Sequence, residues 1–203
     1  MRIGIVQPNY VPWRGYIDFI DDVDLFILLD TVQYTDRDWR NRNKIKTTSG
    51  TQWISVPVKY TYRNQPISEI KIFNENQWQK KQLNLLKQNY SISPFFSLIE
   101  QNFQEIISRE HEFLTDLNLE LLNWINSMLS VSTPIIRASE LASSGTKSER
   151  LISLVQAVGG THYLSGPAAA DYLDLTAFQA AGIHVEYKTY DYCLLYTSDA
   201  ADD

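Results

Sequence analysis

The chain has 203 residues, 44% of them hydrophobic, with 18 Lys and Arg against 24 Asp and Glu and a formal net charge of -6. That length and apolar content suit one compact α/β domain over residues 1–190, and the acidic balance excludes a general nucleic-acid binder, because sequence-independent affinity comes from surplus positive charge facing phosphates. No run approaches the roughly 20 apolar residues of a membrane span, and MRIGIVQPNY at the amino terminus lacks an apolar leader with a small-residue cleavage site, so the cytoplasm is the expected location.

Arg2 to Val6 and Leu25 to Leu29 are short apolar runs that read as buried strands. Between them Tyr16, Phe19, Ile20 and Val23 fall at helical spacing, giving the strand–loop–helix–strand opening of a parallel sheet. Trp53 to Val58 and Ile67 to Phe73 read as shorter strands around a polar loop, Lys59 to Pro66. From 76 to 130 the pattern predicts a helical insert with three apolar stripes: Trp78, Leu85, Leu86 and Tyr90; Phe96, Ile99, Phe103 and Ile106; Phe113, Leu117, Leu121, Trp124, Ile125 and Met128. Ser93 and Pro94 read as the cap and first turn of the middle helix. Beyond the insert come a strand and loop at 134–141, a helix from Thr146 closed by Gly159 and Gly160, a strand at 161–166 and a last strand at 181–190. The expected fold is α/β, a Rossmann-like, parallel-rich sheet with helices on both faces. Residues 191–203, ending in CLLYTSDAADD, continue no periodic element and read as a foreign or truncated end, with a native flexible tail the alternative.

One cysteine, Cys193, and three histidines, His111, His162 and His184, rule out an internal disulfide and leave little for a zinc site, so neither metal nor cofactor is expected. The loop after the first strand, QPNYVPWRGY, is the favoured ground for chemistry, since ligands of open parallel sheets gather beyond the carboxyl ends of the strands. Pro8 and Pro12 stiffen it, Gly15 admits close approach, and Gln7, Asn9, Tyr10 and Trp13 are presented.

Within an acidic chain, Arg37, Arg40, Arg42, Lys44 and Lys46 crowd ten residues. If Trp39 to Lys46 is extended, its period of two puts Arg40, Arg42, Lys44 and Lys46 on one face and Asn41, Asn43 and Ile45 on the other. A row of cations suits a diphosphate, with Trp39 against a base or sugar ring; the plain alternative is an edge strand whose charges deter unwanted pairing. Asp30, Gln33, Tyr34 and Asp38 lie nearby in sequence, and Asp30 or Asp38 is the candidate base. Ser165 and Gly166, ahead of Pro167, form either an anion-friendly helix start or an ordinary cap.

IGIVQPNYVPWRGYIDFI, LLDTVQYTDRDWRNRNKIKT, WISVPV and YLSGPAAADYL together resemble the WbqC-like proteins over roughly residues 1 to 190. The resemblance implies a bacterial protein associated with gene clusters for O-antigen and other surface polysaccharides, with transfer of glycine or a similar acyl unit onto an amino sugar as the proposed activity. Relatives continue past the final strand, where this chain has CLLYTSDAADD, and carry a histidine after the Trp78 region, where it has Gln82. The opening is also similar to nucleotidylyl-transferase-like α/β enzymes, whose His-x-Gly-His motif is replaced here by Trp13 and Tyr16; fold kinship does not carry the chemistry with it.

The expected function is therefore a transferase whose partners are a small-molecule nucleotide sugar and an unidentified acyl donor. Arg40, Arg42, Lys44 and Lys46 would hold the diphosphate, supported by Arg37 and Asn41. Tyr10, Trp13 and Tyr34 would frame the sugar, and Gln7, Asn9 and Asp30 would orient the amine. The alternative is a non-catalytic glycan- or nucleotide-binding accessory protein using the same rim.

Overall fold

The computed structural model describes residues 1–190; the segment 191–203, expected to be foreign or truncated, lies outside the described residues along with Cys193. In chain order the chain forms β1 (Arg2–Val6), α1 (Arg14–Asp21), β2 (Leu25–Leu28), β3 (Arg42–Thr47), β4 (Gly50–Ser55), β5 (Val58–Lys59) and β6 (Lys71–Ile72). Three helices follow, α2 (Trp78–Tyr90), α3 (Phe96–Ser108) and α4 (Leu114–Met128). Then come β7 (Ile135–Arg137), α5 (Lys147–Ala157), β8 (His162–Ser165), α6 (Leu175–Ala180) and β9 (His184–Tyr187). No described helix is long and apolar enough to cross a membrane.

The described residues divide into two compact units, one of Met1–Val6, Trp13–Leu29 and the chain from Ser130 onward, the other of Gln7–Pro12 and Asp30–Leu129. The first unit is the α/β one. Its five strands are all parallel in the order β7-β2-β1-β8-β9, with Ile3 beside Leu25 on one flank and beside Tyr163 on the other. Alternation along β1 and β2 divides the core in two. Gly4 and Phe26 face α1, where Phe26 meets the rings of Tyr16 and Phe19 at 5.6 and 6.3 Å. Ile3, Ile5 and Ile27 face the other way, into a cluster with Leu154 and Val155 of α5 and Phe178 of α6. Helices on both faces of a parallel sheet confirm the expected fold class.

Lys188, just past β9, is 8% exposed and pairs with Asp18 at 2.8 Å and with Asp22, so α1 and the edge of the sheet share a buried cation. Burial works against its charge, but the two carboxylates outweigh it and hold the ammonium pKa above the ordinary lysine value.

The second unit packs a β-hairpin, β3 and β4, with the short β5–β6 pair and with α2, α3 and α4 around Ile45, Ile54, Trp78, Phe103, Ile107 and Leu117. The helices of the 76–130 insert form as expected, but they share their core with residues 30–75. Ile67 to Phe73 is not a single strand: Ile67–Glu69 is a 3-10 turn and only Lys71–Ile72 pairs. Ile67 and Ile70 are both fully buried, and a spacing of three reaches one core from a turn, whereas a strand points them to opposite faces. The Trp53 to Val58 run breaks into β4 and β5 at Pro57, which has no N–H for a ladder. Ser93 and Pro94 sit in a turn closed by Phe96 N–H to the Ser93 carbonyl, and α3 starts only at Phe96.

A Cβ at Gly4 would lie 2.6 Å from the Phe19 ring and 3.3 Å from Val23. Gly4→Ala is therefore expected to lower unfolding free energy by about 1–3 kcal/mol through overpacking of α1 on the sheet, measured by urea denaturation.

Candidate functional site

The turn Thr47-Thr48-Ser49-Gly50 folds the cationic strand back on β4, with Gly50 at φ +119° and the Thr47 hydroxyl donating to the Gly50 carbonyl at 2.9 Å. Register then sets which side chains meet. Lys44 is opposite Trp53, Arg42 opposite Ser55 and Lys46 opposite Thr51, so these six share a face, while Asn43, Ile45 and Ile54 point the other way. Ile45 and Ile54 are buried in the core of the unit.

On the outer face the Arg42 guanidinium lies 4.0 Å from the centroid of Trp53 and the Lys44 ammonium 5.2 Å from it. Trp39 packs against the same ring, 5.2 Å between centroids. Two indoles and two cations thus form one surface, with the exposed Lys46 further along the strand. Beside the β4 edge runs a groove of about 440 Å³ between that strand and α2, lined by Gln52, Trp53, Ser55, Trp78, Lys81 and Gln82.

The segment after β1 is stitched to this hairpin. Asn43 donates through its amide nitrogen to the carbonyls of Tyr10 and Val11, Tyr10 N–H donates to the Trp39 carbonyl at 2.9 Å, and Arg40 donates to the Asn9 side chain at 2.7 Å. Asn9 and the basic strand are therefore direct neighbours, as is the Tyr10 backbone.

Other expected site residues have different employment. The Tyr10 ring is fully buried and its hydroxyl donates to Gln82 Oε1 at 2.6 Å, so it offers no face to a sugar. Desolvation drives that phenol's pKa far above the ordinary tyrosine value. Gln82 in turn donates to the Ser55 carbonyl at 2.9 Å, a structural bridge from α2 to β4. Asn41 is buried and donates to the Val56 carbonyl. Arg40, with a side chain only 16% exposed, is held between Asn9 and Asp38; it braces the loop where a diphosphate grip had been expected. The Arg42 guanidinium also bonds the Arg37 carbonyl, and Arg37 itself is exposed with φ +56°. Gln33 is exposed and bridges Pro66, and Gln7 is half-buried.

The two candidate bases sit differently. Asp30 is fully buried. Asp38 is pushed up by burial, but the Thr35 hydroxyl, the Arg40 guanidinium, the Trp39 N–H and Arg42 prevail and hold its carboxyl below the usual range. So strongly satisfied a carboxylate is a poor proton acceptor at neutral pH. The Tyr34 phenol, 7% exposed, is raised above the ordinary value by burial first and then by Asp36, Tyr60 and Asp38, which keeps it protonated.

Four expected site residues belong to the α/β unit. A Cβ at Gly15 would fall 2.1 Å from the Trp13 ring, so Trp13 packing explains that glycine, and Trp13 also meets Tyr190 at 5.3 Å. Ser165 is 2% exposed, with its hydroxyl bonded to Tyr163, whose pKa burial pushes up to about 12. Gly166 leads only into the three-residue turn Pro167–Ala169, too short to align a set of free N–H groups on an anion.

Trp53, Gln52 and Lys81 were not among the expected residues. Hairpin register would have found Trp53, because a two-residue turn at Thr48-Ser49 places it opposite Lys44.

With the Asp38 carboxyl depressed in the folded state, its stabilising contribution is complete above the ordinary aspartate pKa of about 3.9 and is lost as pH falls through the lower folded value. Asp38→Asn is expected to flatten the dependence of unfolding free energy on pH below about 4, measured by urea denaturation across pH.

No solved structure matches the chain. It is 43% identical over 192 residues to the uncharacterized protein Rv1507c of Mycobacterium tuberculosis, covering 94% of this chain and 83% of that one. The sequence model of the WbqC-like protein family matches residues 7–201, a span that takes in the stiff segment after β1, the cationic hairpin and the three-helix stretch. The chain belongs to the WbqC-like protein family.

Proposed function

We propose that the protein is a transferase that moves a glycyl or similar acyl unit onto a nucleotide-linked amino sugar, in O-antigen or other surface-polysaccharide biosynthesis. Family membership supports the polysaccharide setting. The observation that carries the ligand class is the outer face of the hairpin, where Arg42 and Lys44 lie over Trp53 and Trp39 packs beside it. An anion carrying a flat ring matches that combination: Arg42, Lys44 and Lys46 meet the diphosphate, and the indoles meet base or sugar. Arg40, through Asn9, is a positioning residue for the loop.

In the reaction the neutral amine attacks the acyl carbonyl, the new C–N bond forms as the bond to the donor's leaving group breaks, and the amine proton passes to a base. Holding both substrates in register supplies much of the rate in such a transfer.

A second reading has a specific observation in its favour. Asp38 is held below the usual carboxylate range, a poor acceptor for that proton, which favours a nucleotide-sugar-binding accessory protein. Binding of the sugar without turnover of any acyl donor distinguishes it.

Calorimetric titration with UDP- and dTDP-linked amino sugars tests the ligand class. The parent is expected to bind, and the Arg42→Ala, Lys44→Ala double variant and Trp53→Ala are each expected to bind about tenfold or more weakly. Equal affinity in parent and variants refutes the cation–aromatic site.

A further inference from the structure

The α/β unit brings together a second group of residues. β8 and β9 are parallel neighbours in a register that sets His162 beside His184, with ring centroids 5.5 Å apart. Glu186 stands two residues beyond His184, so the strand period returns it to the same face, with Oε1 3.7 Å from His184 Nδ1. One ligand atom from each of the three lies within 4.8 Å of the other two.

We propose that His162, His184 and Glu186 bind a divalent transition-metal ion of the borderline class, Zn²⁺, Co²⁺ or Ni²⁺, and that this ion pins the edge strand β9 to β8. Two imidazoles and one carboxylate suit these ions and disfavour Mg²⁺ and Ca²⁺, which take oxygen ligands. Ligands about 2.0–2.2 Å from zinc stand roughly 3.4 Å apart in a tetrahedron, so closure asks for about an ångström of movement from exposed side chains. Both histidines are exposed and Glu186 half-buried, which leaves water to complete the coordination.

The surroundings are arranged as ligand supports. His162 Nδ1 is 2.9 Å from the Thr161 hydroxyl, and the tautomer that donates this bond leaves the Nε2 lone pair for a metal. Arg2 holds the other Glu186 oxygen at 2.7 Å, fixing the carboxylate while adding a positive charge that tempers affinity. His162 and His184 open their strands at the amino ends, whereas the ligand chemistry of open parallel sheets gathers at the carboxyl ends. The ion therefore acts as a staple, separate from the transferase chemistry.

The test uses the full chain without a polyhistidine tag, stripped of metal and titrated with Zn²⁺ by calorimetry and with Co²⁺ by visible absorption. One ion per chain, a raised thermal midpoint and no response to Mg²⁺ are expected. His162→Ala and His184→Ala should each weaken binding about tenfold or more, Thr161→Val should weaken it through the tautomer, and His111→Ala should leave it unchanged. Absence of Zn²⁺ binding by the parent overturns the proposal, as does parental affinity in the His162→Ala, His184→Ala double variant with its circular dichroism intact.

Discussion

The second unit depends on one side chain, the amide of Asn43. It donates to two successive carbonyls, those of Tyr10 and Val11, and so fixes the segment between Pro8 and Pro12 to the back of the cationic strand. The hold has to be firm, because Val11 sits at φ +47°, a region that costs a β-branched residue about 1–3 kcal/mol. Tyr10 N–H to Trp39, Arg40 to Asn9 and the buried Tyr10 hydroxyl to Gln82 complete the attachment and bring α2 into it. With the inner face of β3 occupied by these bonds and by Ile45, its outer face is left to Arg42, Lys44 and Lys46.

Positive charge in an acidic protein is thus divided between two tasks. Arg40 and Lys188 are largely buried and paired with carboxylates, Asp38 for one, Asp18 and Asp22 for the other; they hold structure together. Arg42 and Lys44 lie on indole surface, which supports the stem and charge of each. Cations of the second kind stand on the outer face of the hairpin, where a ligand can meet them.

Much of this was legible in the sequence. The apolar runs Arg2–Val6 and Leu25–Leu29, and the helical spacing of Tyr16, Phe19, Ile20 and Val23, sufficed for β1, α1 and β2, and the stripes of the insert became α2, α3 and α4. Alternation also separated Asn43 and Ile45 from the cations correctly. What escaped was whatever depends on pairing between distant residues. Arg40 looked like a phosphate ligand until Asn9 and Asp38 closed around it, Tyr10 looked presented until its hydroxyl found Gln82, and Trp53 joined the site only through strand register. The juxtaposition of His162 and His184 across two strands likewise cannot be counted along a chain. Ile67 and Ile70 show the local limit, since a 3-10 turn and a strand can carry the same apolar letters.

The α/β unit is interrupted twice by excursions into the other, the longer running from Asp30 to Leu129. Its central strand β1 finds a neighbour at once in β2, but its second neighbour, β8, begins at His162. A nascent chain therefore emerges with one edge of β1 unsatisfied until His162 and its neighbours are made, and closure of that sheet is a high-contact-order event. Until β8 arrives, that edge is open to edge-to-edge aggregation and to chaperone capture.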